Sequence, residues 1–322
     1  MWPYFTAGTK IRKSESSNYP DGYGKAPMIP SRIRFTALEG NSMKLDGGAM
    51  FGNAAKALWS RWMPSDDRNM IPIGSRSLLI ETGPHAILFE TGAGAYLSPD
   101  MKDRFRMAET RHVLLDSLAH AGLSHEDITH VILSHLHFDH AGGLLREWEE
   151  GRAPELLFPN AEFHVGKDNF ERSGRPHLRD KASFIPGLTR LLEDSGRLKL
   201  LQDKDLLVLD EVRIEFIESR GHTPGMMLSH IQTPEQALFF AGDVAPAHPW
   251  VHLPITMGYD RFPEGLIDEK IRFFERVLDE DAWVFYPHDP VYAASKLSYD
   301  KASNKYAPRD LIPDLCPLNP LG

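Results

Sequence analysis

Three imidazoles and a carboxylate fall within six residues at His135-Leu136-His137-Phe138-Asp139-His140, a spacing suited to holding cations. Neutral imidazole suits zinc, iron, copper or nickel, and a carboxylate adds an anionic ligand able to support a second cation. The apolar run Val131-Ile132-Leu133-Ser134 ahead of the cluster reads as a buried strand. Behind it, Ala141-Gly142-Gly143 opens a stretch that can begin a helix. The cluster therefore sits on a loop leaving a strand end, where a rigid scaffold presents functional groups. Three more residues repeat that placement. His222 lies in Gly221-His222-Thr223-Pro224-Gly225, after the alternating strand Val212-Arg213-Ile214-Glu215-Phe216-Ile217. Asp243 follows Ala237-Leu238-Phe239-Phe240, and His288 follows Ala282-Trp283-Val284-Phe285-Tyr286. Singly, each reads as an ordinary turn or cap residue. Together, four strand ends that each offer a ligand point to one metal site.

In this chain order (His-x-His-x-Asp-His, a lone His, a lone Asp, a final His) the sequence resembles the metallo-β-lactamase-fold hydrolases over residues 32–295. The resemblance implies a four-layer αββα sandwich of the α/β (α+β) class, with the metal site at one edge of its sheets. It implies that His135, His137 and His222 hold a first ion and that Asp139, His140 and His288 hold a second. Asp243 is then the bridging carboxylate. Two divalent ions per chain are expected, zinc first, with iron or manganese as alternatives. Glu90-Thr91-Gly92-Ala93-Gly94 resembles the family's early Asp-x-Gly turn, with glutamate in place of aspartate.

Two such ions lower the pKa of a shared water from about 15.7 to about 7, which makes hydroxide available for attack on a carbonyl or phosphoryl group. Asp139 is the residue expected to orient that water and to shuttle its proton to the leaving group; its other role is as a ligand only. The bridging Asp243 sets the chain apart from the β-lactamases themselves, and His137 sets it apart from the flavodiiron reductases, which carry glutamate there.

The branch most similar is that of the lactonases opening N-acyl homoserine lactones, the quorum-quenching enzymes. Leu45-Asp46-Gly47-Gly48-Ala49-Met50-Phe51-Gly52 resembles a motif of that branch, and so does the segment from His248 through His252 and Pro254 to Tyr259-Asp260. Better-known lactonases carry a tyrosine three residues after the bridging aspartate, where this chain has Pro246; Tyr259 is the replacement expected to donate to an oxyanion, with packing as its other role. Met50, Phe51 and Trp59 are read either as core contacts or as an apolar wall for a substrate. His252 is read either as a neighbour of the site or as a surface residue. The alternatives to a lactonase or esterase are a phosphotriesterase and a mononuclear iron enzyme of the sulfur-dioxygenase type.

The 322 residues suffice for one large domain or two average ones. A net charge of -9 argues against a nucleic-acid partner. The single cysteine, Cys316, excludes an intramolecular disulfide and a thiolate ligand at these motifs. The basic residues near the N-terminus follow the aromatic ones, the reverse of a signal peptide, and no apolar run reaches membrane-span length. The expectation is a cytoplasmic enzyme with a small-molecule substrate and no membrane partner, with a homodimer left open.

Residues 1–31 read as an arm, 32–295 as the hydrolase domain and 296–322 as a Lys-, Asp- and Pro-rich tail. Strands are predicted at 32–38, 77–80, 86–90, 130–134, 161–165, 206–209, 212–217, 227–231 and 237–240. Helices are predicted at 54–63, 111–121, 187–194 and 264–278, with residues 45–52 as a Gly-rich loop.

Overall fold

The computed structural model describes residues 33–315 together with 318 and 319; the expected arm at 1–31 lies outside the described residues. One sheet has six strands. Its antiparallel part is β1 (Arg34–Glu39), β4 (Arg76–Thr82) and β5 (His85–Phe89); β6 (His130–Leu133), β7 (Glu162–Gly166) and β8 (Leu198–Leu201) continue it in parallel. The second sheet has seven strands: β9 (Leu206–Leu209), β10 (Val212–Ser219), β11 (Met226–Gln232), β12 (Ala237–Phe240), β13 (Trp283–Phe285), β14 (Ala294–Asp300) and β15 (Lys305–Ile312). All its neighbours are antiparallel except β12 and β13. A small pair, β2 (Met43–Asp46) with β3 (Met70–Ile73), stands apart.

Period-two alternation decides the layers. Ile87, Phe89 and Ile132 of the first sheet meet Ile214, Phe216, Leu238 and Phe240 of the second in the central core. The opposite faces of β6 and β7 turn Val131, Leu133, Phe163 and Val165 toward Leu114, Leu118, Leu188 and Leu192 on the helices Val113–His120 and Leu188–Asp194. On the far side, Leu266, Phe273, Phe274 and Val277 of the helix Pro263–Asp279 cover Phe239 and Val284. The result is helix, sheet, sheet, helix. Among the described residues, no helix is long and apolar enough to cross a membrane.

Three expectations need correction. Residues 54–63 do not form a sustained helix: α-helical geometry covers only Lys56–Trp59 and turns follow, ahead of Pro64. Residues 45–52 are ordered structure rather than a Gly-rich loop. Leu45 and Asp46 end β2, and Gly47–Phe51 is a helical turn whose first residues are capped by Asp46, which accepts from Ala49 N at 2.8 Å. Each position has a steric or bonding reason. A Cβ on Gly47 would sit 2.5 Å from the Trp59 ring. Gly52 has φ +56°, with Thr256 O 2.6 Å from where its Cβ would be. Phe51, fully buried, stacks between Trp59 at 5.1 Å and Trp250 at 4.4 Å. The polar stretch after 296 supplies most of β14 and all of β15, a hairpin on the edge of the second sheet.

Candidate metal centre

Both sheets end their ligand-bearing strands at the same edge. His135 and His137 lie just past β6, and Asp139 and His140 lie on the single helical turn Phe138–Ala141. His222 is in the β10–β11 connection, Asp243 in the short turn Gly242–Val244 after β12, and His288 beyond β13. These loops are stitched together. Asn169, fully buried, accepts from Leu136 N at 2.8 Å and donates to Pro224 O at 3.1 Å, joining the His135 loop to the His222 loop. The backbone N–H of His288 donates to Pro246 O at 2.8 Å, joining the His288 and Asp243 loops.

All seven expected ligands come together. His135, His137 and His222 form one group whose ligand atoms lie within 4.8 Å of one another; Asp139, His140 and His288 form another, and Asp243 joins His135 and His140 in a third. Asp243 Oδ1 is 3.3 Å from His140 Nε2 and 3.4 Å from His288 Nε2, while its Oδ2 is 3.3 Å from His222 Nε2. One carboxylate thus faces both groups, oxygen by oxygen.

The donor set fits cations. His135 Nε2 is 3.0 Å from His137 Nδ1, His222 Nε2 is 3.2 Å from that same atom, and His288 Nε2 is 2.9 Å from His140 Nε2. Ligands about 2.0–2.1 Å from a tetrahedral zinc stand roughly 3.3 Å apart, close to this spacing. Asp243 Oδ1 is buried without a hydrogen bond among the described residues. Asp243, Glu90 and Asp260 are all nearly excluded from water, and so many buried carboxylates require positive charge among them.

The titration of the ring follows from the same crowding. Burial, then the His140 and His137 imidazoles, pushes His135 well below the ordinary histidine range; burial, His222 and His140 do the same to His137. Both therefore present neutral lone pairs. Burial opposes charge on His140 too, but Asp243, Glu90 and Asp139 outweigh it and raise that group well above its ordinary value. Burial likewise works against ionised Asp243, and His140, His222 and His288 overcome it and hold the carboxyl well below the usual range.

Behind the ring, most imidazoles are braced through their other nitrogen, which fixes tautomer and orientation. His222 Nδ1 meets Asp260 Oδ1 at 2.8 Å, and Asp260 Oδ2 accepts from Met257 N at 2.6 Å. His288 Nδ1 lies 2.8 Å from Gly74 O and His135 Nδ1 lies 2.9 Å from Ser134 Oγ. Glu90 stands with Oε2 3.4 Å from His140 Nδ1 and Oε1 accepting from Ser134 N at 2.9 Å. The glutamate at this turn therefore reaches two ligand segments, and Thr91 donates to His140 O from both its N–H and its hydroxyl.

A cavity of about 180 Å³ opens onto His137, Asp139, His222, Asp243 and His288. Met50 and Tyr259 line it, together with Leu45, Ile73, Phe105 and Phe138. Phe51, Trp59 and His252 do not line it: the first two are core residues, and His252 stacks on Trp62 at 4.7 Å. His248 is bonded to Asp289 at 2.6 Å and so braces the turn carrying His288. Sequence reasoning missed Arg104 and Phe105, which reach the cavity from the helix Pro99–Arg104 and its cap. Ser98-Pro99-Asp100 is a helix-start signal that marks this element, though not what it faces.

The family model described as the metallo-beta-lactamase superfamily matches residues 71–288, a span that includes all seven ring residues. Among solved structures, a probable metal-dependent hydrolase from Staphylococcus aureus is 28% identical, with a TM-score of 0.75 over 88% of this chain and 99% of that one. AidC, a dizinc quorum-quenching lactonase, is 22% identical, with a TM-score of 0.67 over 87% of this chain and 94% of that one. The hydrolase AbOPH is 18% identical, with a TM-score of 0.68 over 90% and 96% of the two chains. The last two likenesses are of fold alone. Among curated proteins, none matches the chain.

Proposed function

From its membership of the metallo-beta-lactamase superfamily, to which this chain belongs, we propose that the protein is a dinuclear zinc-dependent hydrolase that opens a lactone or cleaves a related ester, with an N-acyl homoserine lactone as the model substrate. The observation that carries the reading is the complete ring, two three-residue groups facing the two oxygens of Asp243. His135, His137 and His222 would hold one ion and Asp139, His140 and His288 the other, with Asp243 between them. When bound, two such ions supply a water ionised near neutral pH and positive charge opposite the carbonyl oxygen.

The chain's own residues do the rest. Asp139 borders the cavity and is the most exposed of the ring carboxylates, at 15% against 7% for Asp243. It orients the attacking water and passes its proton to the leaving oxygen. Burial, with help from Asp139 and Asp46, raises the Tyr259 hydroxyl above its ordinary range, so it stays protonated and can donate to the charge developing on the carbonyl oxygen. Leu45, Met50, Ile73 and Phe105 exclude water from one side and receive an apolar acyl group. Arg104 offers a cation in the same cavity, suited to the carboxylate product.

The test is metal analysis of protein purified without added metal, followed by rates on a small panel of lactones, esters and phosphotriesters. Two zincs per chain and fastest turnover of an acyl lactone are expected. One iron with oxygen uptake, or phosphotriesters outrunning every lactone, would overturn the reading.

A further inference from the structure

The strands that carry the metal ring also carry, at their other ends, a second group of ligating side chains. His130 opens β6 and Glu162 opens β7, and the two are register partners. His164 pairs with Ile132 on one side and with Lys199 of β8 on the other. Alternation puts His130, Glu162 and His164 on the same sheet face as Ile132 and Ile87, the face turned toward the second sheet. From His130 to His135 is five residues, roughly 15 Å of extended chain. The two groups are therefore at opposite edges of the sandwich.

We propose that His130, Glu162 and His164 form a separate binding site for one divalent transition-metal ion, zinc being the ion that best suits two imidazoles and a carboxylate. One ligand atom from each lies within 4.8 Å of the others. The His130 and His164 rings face each other at 5.6 Å and 26°. His164 is 4% exposed and its Nε2 has no hydrogen-bond partner among the described residues, a buried polar atom left without compensation. Glu162 Oε2 is 3.7 Å away, too far for a hydrogen bond. A cation between them resolves both facts.

The surrounding charges suit that role. Burial and the neighbouring His130 push His164 down to about 4, and burial and His85 lower His130, so both rings present neutral lone pairs at pH 7. Lys199 sits 3.1 Å from Glu162 Oε1, while Oε2 is the oxygen near His164 Nε2. The Glu162 side chain is 44% exposed, which gives an ion a route in and room for water as the remaining ligand. Such an ion ties β6 to β7 at the edge remote from the catalytic ring, and its energetic effect is on the sheet rather than on the reaction.

The test uses the full chain, stripped with chelator, re-equilibrated with Zn²⁺ alone and desalted. Wild type is expected to hold one more zinc per chain than either His164→Ala or Glu162→Gln. Glu162→Gln keeps the shape of a half-exposed residue and removes only the anionic ligand, so it guards against loss of fold in the first variant. Because the readout is a difference, it stands whether the catalytic ring holds one ion or two. Equal zinc content in wild type and both folded variants would overturn the proposal.

Discussion

The metal ring and the apolar wall beside it are built by different means. Every ring residue leaves or closely follows a strand, and most of the imidazoles are held by a second contact: Asp260 behind His222, Gly74 behind His288, Ser134 behind His135, Glu90 behind His140. The wall comes from pieces with little regular structure: the β2 end and helical turn carrying Leu45 and Met50, the cap residue Phe105, and the 254–260 segment bringing Met257 and Tyr259. A ring fixed by two sheets tolerates little change in position. A wall made of short turns can vary in shape while the ring stays as it is, which is how one fold serves several substrates.

The largest effects belong to the ring. His135→Ala and His222→Ala are each expected to reduce hydrolysis to background and to lower bound metal, since each removes a ligand from a different loop of one group. Asp243→Ala removes the carboxylate that faces both groups and should leave the chain with fewer than two tightly held ions. Full metal content with full activity in any of these variants would take that residue out of the site.

The bracing contacts come next. Asp260 is 38 residues from His222 and meets its Nδ1 at 2.8 Å. Asp260→Asn keeps the shape but removes the charge that orients the ring, and metal affinity should fall roughly 10- to 100-fold. Zinc dissociation measured by competing chelator decides this. An unchanged affinity would reduce Asp260 to a loop tether for Met257.

This contrast also explains what the sequence disclosed. The ring was legible because its residues follow strands that announce themselves, either as runs buried on both faces, such as His130–Leu133 or Ala237–Phe240, or by alternation, as in Val212–Ser219. The hairpin of β14 and the edge strand β15 was not, because its Lys, Asp and Pro residues resemble a tail in composition. The strand β8 hid for the same reason, with Lys199 and Leu200 both exposed. Asp260 and Glu90 were visible as parts of motifs, but their partners depend on contacts 38 and 50 residues away in the chain. The wall was half legible: Met50 reaches the cavity, while the residue beside it, Phe51, turns into the core.

That split gives the smallest and most discriminating prediction. Met50 and Trp59 belong to the same short segment, yet only Met50 borders the cavity, and Trp59 is 1% exposed beneath it. Each buried CH₂ contributes about 0.8 kcal/mol, so lengthening an acyl chain by two carbons should raise kcat/KM by about an order of magnitude until the space is filled. In Met50→Ala the wall recedes, and each added carbon should gain less than in wild type while a bare lactone ring is hydrolysed at nearly the wild-type rate. Trp59→Ala should behave in the opposite way. It opens a void on the Trp59 side of Phe51, whose other face stacks on Trp250, and costs about 3–5 kcal/mol of stability, yet the molecules that remain folded keep the wild-type dependence on chain length. The two variants are separated by running the acyl series and a thermal melt on each. A flat series in wild type would remove the acyl pocket altogether. A slope that Trp59→Ala flattens and Met50→Ala leaves intact would mean that the wall is shaped from the core side, and that the cavity's lining does not by itself set the preference.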